Sequence, residues 1–325
     1  MYETRTLGAF NGKGGVGKTT VIASLGASLA RAKRRVLIVD LDPDTNLGKD
    51  LGYTVWIRPT VAHDKLKLTE ALSKCATDDG RALADALASQ DASRLLVLKD
   101  VRPGLDVLPG GPFLADLTEL PESYWQRRGH SRKTVLRNLL DEIAEPYDVI
   151  LIDTGPGHLA LQEMAAVAAR FAICPTRSDE GSIGSLSKIA KVFELVFDEA
   201  PDVELLGVVM FGVGSSATRV QLETRAKIES VLGTVAPVFK STIRHTEQPA
   251  TACRELGVVP YELVELAPHL PKFYEKGYRK DQVKVTDSAK SLAEDLEQLA
   301  IEIAFAHHQR VTELEEQEQE QETSK

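Results

Sequence analysis

The sequence predicts an α/β fold, a doubly wound and mostly parallel sheet with helices on both faces. Two observations support this fold class. Short apolar runs alternate along the 325-residue chain with longer stretches of helical periodicity. The run Arg35–Asp40 has almost no polar alternation, which is typical of a parallel strand buried on both faces. Parallel neighbours need a crossover connection, and the helical stretches supply it.

The elements can be assigned in chain order from this pattern. Strands are predicted at Leu7–Phe10, Arg35–Asp40, Leu105–Leu108, Val149–Asp153, Phe171–Pro175 and Leu205–Met210. Helices are predicted at Thr19–Arg31, Arg81–Ser89, Thr134–Ala144, Leu159–Ala169, Ser185–Phe197 and Asp287–Phe305. Residues 53–132 fit the alternation less well, with loops predicted at Thr77–Gly80, Pro109–Pro112 and Pro121–Gly129.

The chain divides into one domain over residues 1–306 and a tail over residues 307–325. The strand at Val149 continues the first sheet, so residues 53–132 are interpreted as an elaboration within a single domain. The last sixteen residues carry six glutamates against two cations. Because Leu314 is the last apolar residue of this segment, we expect the tail to be disordered.

Composition restricts the classes of function. With 43% hydrophobic residues the chain can bury a large core, and its net charge of −9 excludes a globally basic nucleic-acid binder, although not a local basic face. Cys75, Cys174 and Cys253 lie far apart, which excludes a disulfide framework and a cysteine-only metal site. Neither a membrane-spanning run nor a secretory signal is evident, so a cytoplasmic protein is expected.

The strongest motif is a glycine-rich loop, Gly12-Lys-Gly-Gly-Val-Gly-Lys-Thr19, between a predicted strand and a predicted helix. It matches the pattern GxxxxGK[ST] of the P-loop, whose backbone N–H groups and helix N-terminus bind phosphates. Lys18 is positioned to reach the β- and γ-phosphates, and Thr19 to bind Mg²⁺. The predicted nucleotide-binding residues are Gly12, Lys13, Gly14, Gly15, Val16, Gly17, Lys18, Thr19 and Thr20.

The second lysine of this loop makes it resemble the deviant Walker A motif of the ParA/MinD ATPases, and the resemblance covers about residues 4–300. It implies ATP and Mg²⁺ as cofactors and a homodimer that closes on ATP, with Lys13 reaching the partner's phosphates. The segment Asp40-Leu-Asp-Pro-Asp-Thr-Asn46 is similar to the DxDPQxN segment of that family. By this similarity Asp42 polarises the attacking water and Asp40 supports the metal, while Asp44 stands where glutamine is usual.

Two later segments extend the resemblance. Val149–Asp153 looks like a Walker B strand, with Asp153 holding Mg²⁺ through water, and Asp42, Gly155 and Gly157 would form the switch that senses the γ-phosphate. Residues 241–250 are similar to the late ParA segment that carries a DNA-contacting arginine, here Arg244. The predicted DNA-binding cations are Arg244, Arg219, Arg225, Lys227 and Lys240.

The resemblance is strongest to the short, Soj-like ParA proteins. It implies a nucleoid-associated partition ATPase that binds double-stranded DNA without reading sequence, hydrolyses ATP slowly, and is stimulated by a ParB-type centromere-binding partner. The acidic tail argues against the basic membrane-docking helix of MinD. Two alternatives remain: a MinD-like or other cargo-positioning ATPase that does not bind DNA, and a P-loop enzyme with a small-molecule acceptor.

Overall fold

The computed structural model describes residues 3–53, 78–214, 218–233, 236–269 and 287–323. Within these residues, eight strands form one sheet. In chain order they are β1 (Thr6–Ala9), β2 (Val36–Leu41), β3 (Leu98–Arg102), β4 (Leu105–Leu108), β5 (Val149–Thr154), β6 (Phe171–Thr176), β7 (Glu204–Val213) and β8 (Val238–Arg244). Their order across the sheet is β3-β4-β2-β5-β1-β6-β7-β8.

All neighbouring strands run parallel except β3, which pairs antiparallel with β4. The predicted mostly parallel sheet is therefore confirmed. β1 lies between β5 and β6, and β2 lies on the far side of β5. From β1 the chain first runs to β2, on the β5 side of β1, and later crosses to β6 on the other side. A crevice opens at such a switch point, at the carboxyl ends of the strands, and ligands of open α/β sheets bind there.

Helices connect the strands. They are α1 (Lys18–Arg31), α2 (Asn46–Leu51), α3 (Arg81–Ser89), α4 (Phe113–Glu119), α5 (Glu122–Gln126), α6 (Val135–Ile143), α7 (Leu159–Ala168), α8 (Glu180–Gly184), α9 (Leu186–Leu195), α10 (Thr218–Leu232), α11 (Glu247–Leu256), α12 (Pro260–Leu266) and α13 (Ser288–Thr323).

The sheet separates two apolar cores, one on each face. Along β2, Leu37 and Val39 point into the core formed with α3, α6, α7 and α9, whereas Val36 and Ile38 point into the core formed with α1, α2 and α13. This alternation follows from the two-residue period of a strand, and it explains why β2 is apolar at nearly every position. The helices lie on both faces, as predicted.

Several elements were not predicted from the pattern. The edge strands β3 and β8 carry charged or exposed positions, so they lack the continuous apolar run of a buried strand. The helices α10, α11 and α12 also went unassigned. The predicted loop at Pro121–Gly129 is wrong in part, because it contains α5, whose Trp125 is fully buried. Residues 54–77 of the predicted elaboration lie outside the described residues.

The prediction of a disordered tail from residue 307 is wrong for the described residues, since α13 continues to Thr323. Three side chains anchor its extension. His307 contacts the carbonyl of Thr4 at 2.6 Å, Arg310 forms an ion pair with Glu204 on β7, and Leu314 packs against the second core. Glutamate and glutamine are good helix formers, so the remaining residues continue the helix.

The same helix covers the open edge of the sheet. Glu302 accepts hydrogen bonds from the backbone N–H groups of Lys240 and Ser241 on β8, at 2.7 and 2.8 Å. Asp295 accepts one from the N–H of Arg244 at 3.0 Å. These carboxylates replace the partner that an edge strand lacks. In the part of the chain that the structure describes, no helix is both long and apolar enough to cross a membrane.

Candidate active site

The glycine-rich loop joins the end of β1 to the start of α1, at the switch point of the sheet. Gly15 and Gly17 have φ values of 71° and 97°, in the left-handed region that favours glycine. A Cβ atom at Gly17 would lie 2.4 Å from the ring of Phe211, so a larger residue cannot occupy this position unless that ring moves. Glycine is therefore required at two positions of this loop, as expected of a loop that curves around phosphate groups.

Lys18 begins α1 and turns back into the loop. Its Nζ donates hydrogen bonds to the carbonyls of Asn11 and Lys13, at 3.0 and 3.1 Å. Its side chain is buried, and burial lowers the pKa of Lys18, although the charges of Asp153 and Asp42 oppose this shift. The ammonium group is therefore already inside the loop, where phosphate oxygens can replace the two carbonyls.

Three carboxylates converge beside Lys18. Strand pairing places Asp40 of β2 opposite Asp153 of β5, and Asp42 follows directly after β2. Burial, and then the charge of Asp42, raise the pKa of Asp40 to about 7, while the Tyr53 hydroxyl donates a hydrogen bond to Asp40 at 3.0 Å. Three acids in a dry site repel one another, so the cluster favours the arrival of positive charge.

Asp153 carries the clearest sign of a missing partner. Burial, followed by the charge of Asp40, raises the pKa of Asp153 well above its ordinary value. The Thr19 hydroxyl nearby favours the charged form, but within the described residues neither carboxylate oxygen has a hydrogen-bond partner of normal geometry. These residues fit Mg²⁺, which proteins usually bind through one or two carboxylates together with phosphates. Within the described ranges, no group of three or more His, Cys, Asp or Glu side chains that could hold a metal ion is found.

Asp42 is held in a fixed orientation. Its Oδ2 accepts a hydrogen bond from the amide of Asn46 at 2.8 Å, and its Oδ1 accepts one from the N–H of Asp44 at 3.0 Å. Asp44 itself is exposed, so its backbone makes this contact whatever its side chain. Gly155 lies against Asp42, and a Cβ there would be 2.5 Å from Oδ1. The loops after β2 and β5 therefore pack directly against each other at this point. Gly157, with a φ of 83°, gives the loop after β5 a left-handed turn that favours glycine.

Lys13 points in the opposite direction from Lys18. Its side chain is 43% exposed, and its Nζ forms an ion pair of 2.6 Å with Asp179, which precedes α8. Asp179 also accepts hydrogen bonds from the N–H and hydroxyl of Ser182, and these contacts with Lys13 and Ser182 hold its pKa well below the usual range. One loop thus carries one lysine inside and one outside.

Comparison with known proteins agrees with this geometry. The family AAA_31, described as an AAA domain, matches residues 4–204. The chain is 32% identical over 209 residues to the chromosome partitioning protein ParA of Caulobacter vibrioides, covering 63% of this chain and 68% of that protein. The chain belongs to the ParA family.

Two further proteins are similar to this chain. The chromosome-partitioning ATPase Soj of Thermus thermophilus is 29% identical over 254 residues, covering 76% of this chain and 86% of Soj. The crystal structure of cobyrinic acid a,c-diamide synthase from Mycobacterium smegmatis, with bound ADP and magnesium, is similar with a TM-score of 0.56 and 29% identity. It covers 78% of this chain and 92% of that one. Of these proteins, Soj is named as an ATPase that partitions chromosomes.

The structure brings together the predicted nucleotide, metal and switch residues of this ParA-family chain, and it places the predicted DNA-binding cations on α10 and β8, where several of them have protein partners. Arg244 forms an ion pair with Asp295 at 2.6 Å, and the guanidinium of Arg225 donates to the carbonyls of Val238 and Phe239. Arg219 is 92% exposed and pairs with Glu223 on its own helix, while Lys227 and Lys240 are exposed.

Sequence reasoning missed several residues around the loop. Asn11 is buried, and its amide donates to the carbonyl of Pro175, while its oxygen accepts from the N–H of Lys13 and the hydroxyl of Ser185. A cavity of about 310 Å³ also opens beside Gly17, lined by Thr20, Phe211 and Thr246. Because it adjoins the phosphate loop, it can hold the nucleoside. These contacts link distant parts of the chain, so no local pattern signals them.

Proposed function

We propose that this chain is a partition ATPase, which binds ATP with Mg²⁺, closes into a homodimer and hydrolyses ATP slowly. The opposite orientation of the two loop lysines carries this proposal. Lys18 lies buried inside its own loop, whereas Lys13 reaches outward with 43% of its side chain exposed. A cation that serves its own phosphates must lie inside the loop, and one that serves a partner's phosphates must be able to leave it.

The residues beside Lys18 are suited to holding Mg²⁺ and the nucleotide. Thr19 would bind the ion directly and Asp153 through water, with Asp40 as support. The unpartnered oxygens of Asp153 favour this assignment, as does the ADP and magnesium bound by the diamide synthase. When bound, the ion would neutralise charge on the phosphates. The cavity beside Thr20 would take the nucleoside.

Asp42 is the residue best placed to orient a water molecule for attack. Asn46 and the N–H of Asp44 fix its carboxylate, and Gly155 lets the switch loop approach it. Phosphoryl transfer depends mainly on positioning and charge, so an immobilised acid of this kind can act with little reorganisation. Stimulation by a ParB-type partner follows from the family relationship and is part of the proposal.

DNA binding is the least supported part of the partition function. Arg219, Lys227 and Lys240 are exposed. Arg244, the cation that the resemblance singles out, is instead paired with Asp295, and Arg225 donates to backbone carbonyls. This observation favours a second candidate, a cargo-positioning ATPase that binds a protein in place of DNA. In either case we expect action in the cytoplasm, and on the nucleoid if DNA is bound.

One experiment separates the two candidates. Binding of a random-sequence duplex is measured with ATP, with ADP and without nucleotide, over a range of salt concentrations. A partition ATPase should bind only with ATP, and Lys227→Ala with Lys240→Ala should lower the slope of log K against log salt by about 0.9 for each phosphate that the protein ceases to neutralise. ATP-dependent dimerisation without DNA binding would reject the partition function in favour of cargo positioning. Absence of ATP binding would reject both.

A further inference from the structure

The short helix α2 lies between the water-orienting acid and the phosphate loop. It begins at Asn46, whose amide holds Asp42, and it ends at Leu51, whose carbonyl accepts a hydrogen bond from the buried Arg102. Leu47 and Leu51 are fully buried against the core of α1. Six residues of helix span about 9 Å, so α2 can transmit a shift at one end to the other.

Asp50 lies on this helix, one turn after Asn46, and faces the loop. Its Oδ2 accepts a hydrogen bond from the Thr20 hydroxyl at 3.1 Å, and its Oδ1 accepts one from Nε of Arg254 on α11 at 3.0 Å. The side chain is buried and also lines the cavity beside the loop. Asp50 therefore joins three elements, namely the start of α1, α11 and α2.

The Thr20 hydroxyl can donate only one hydrogen bond. In this structure the hydroxyl donates its hydrogen bond to Asp50, yet Thr20 belongs to the loop that would bind the phosphates. If a phosphate oxygen accepts this hydrogen bond from Thr20, Asp50 loses it and keeps only its hydrogen bond from Arg254. Nucleotide in the loop would thus change the contacts of Asp50, and through α2 the contacts of Asn46 with Asp42.

We propose that Asp50 is a positioning residue that couples occupancy of the phosphate loop to the orientation of Asp42. The inference rests on the proposed ATP hydrolysis. It assigns a role to a residue that touches no reacting atom itself. Its action through α2 requires the contact between Asn46 and Asp42.

The test is Asp50→Asn in the full-length chain, with ATP affinity, kcat and KM measured together. The amide keeps the size of the carboxylate but loses its charge and one acceptor. We expect kcat to fall by about tenfold or more, as for other residues that orient a catalytic group, while ATP affinity changes less than about threefold. Asp106→Asn is the matched control, because Asp106 is similarly buried and paired with Lys99, at the opposite ends of the strands.

A double-mutant cycle tests the route. If Asp50 acts through Asn46, adding Asp50→Asn to Asn46→Ala should lower kcat by less than about threefold further. If the double variant loses kcat by the product of the two single losses, the coupling is overturned. An unchanged kcat in Asp50→Asn would also overturn it. Should Asp50→Asn fail to fold, Arg254→Gln reads the same contact from a half-exposed site, and an unchanged kcat there would also overturn it. A wild-type chain that does not hydrolyse ATP would instead refute the proposed function.

Discussion

We expect the ion pair between Lys13 and Asp179 to lower the dimerisation constant of the protein. If Lys13 serves the partner's phosphates, it must first leave Asp179, and this happens once in each protomer. The two side chains are 43% and 47% exposed, so we assign the pair the value of an exposed ion pair, about 0.5–1 kcal/mol. Two such pairs amount to about 1–2 kcal/mol for each dimer, or about five- to thirtyfold in the dimerisation constant.

Asp179→Asn is the informative substitution, because its amide oxygen can still accept from the N–H of Ser182 and preserve the start of α8. Sedimentation equilibrium with a non-hydrolysable ATP analogue should show the variant dimerising about five- to thirtyfold more tightly at low salt, with a smaller difference at about 1 M salt. Asp91→Asn is the control, since Asp91 caps a turn through Ser93 and pairs with Arg94 in the same manner. Equal dimerisation constants for the wild type and Asp179→Asn would refute this reasoning.

Three further predictions concern the acids of the site. Asp42→Ala should keep ATP binding and slow hydrolysis by about a hundredfold or more, which leaves the dimer closed in sizing experiments with ATP; normal turnover would exclude Asp42 as the water-orienting group. Gly155→Ala should lower kcat by about tenfold, because its Cβ would displace Asp42, whereas Gly184→Ala, with open space around it, should not. In metal-free buffer the raised pKa of Asp40, about 7, means that the folded protein binds this proton more tightly than the unfolded chain. Stability should therefore rise as the pH falls from 8 towards 5, and Asp40→Asn should make the melting temperature depend less on pH between 6 and 8, while the raised pKa of Asp153 maintains part of the dependence; an unaltered pH profile in the variant would contradict this.

The fold class and the central strands could be predicted because burial on both faces leaves a continuous apolar run. β2, β4, β5, β6 and β7 all appear close to their predicted bounds. The edge strands β3 and β8 could not be predicted, because charged or exposed positions interrupt their apolar runs. The prediction for the tail was wrong for a related reason. Its glutamates indicate solvation, but His307 and Arg310 find partners on Thr4 and Glu204, far away in the sequence.

The sequence by itself determined the phosphate loop, the order of acids along the strands and the family, because these depend on residues close together in the chain. A P-loop motif between a strand and a helix is specified by eight consecutive residues. Only the tertiary structure decided which charged side chains are held in ion pairs with other parts of the protein. Arg244 and Asp295 lie 51 residues apart, and Lys13 and Asp179 lie 166 apart. An ion pair depends on distance in space, which the packing of α13 against β8 and the position of Asp179 before α8 create and which local sequence does not encode.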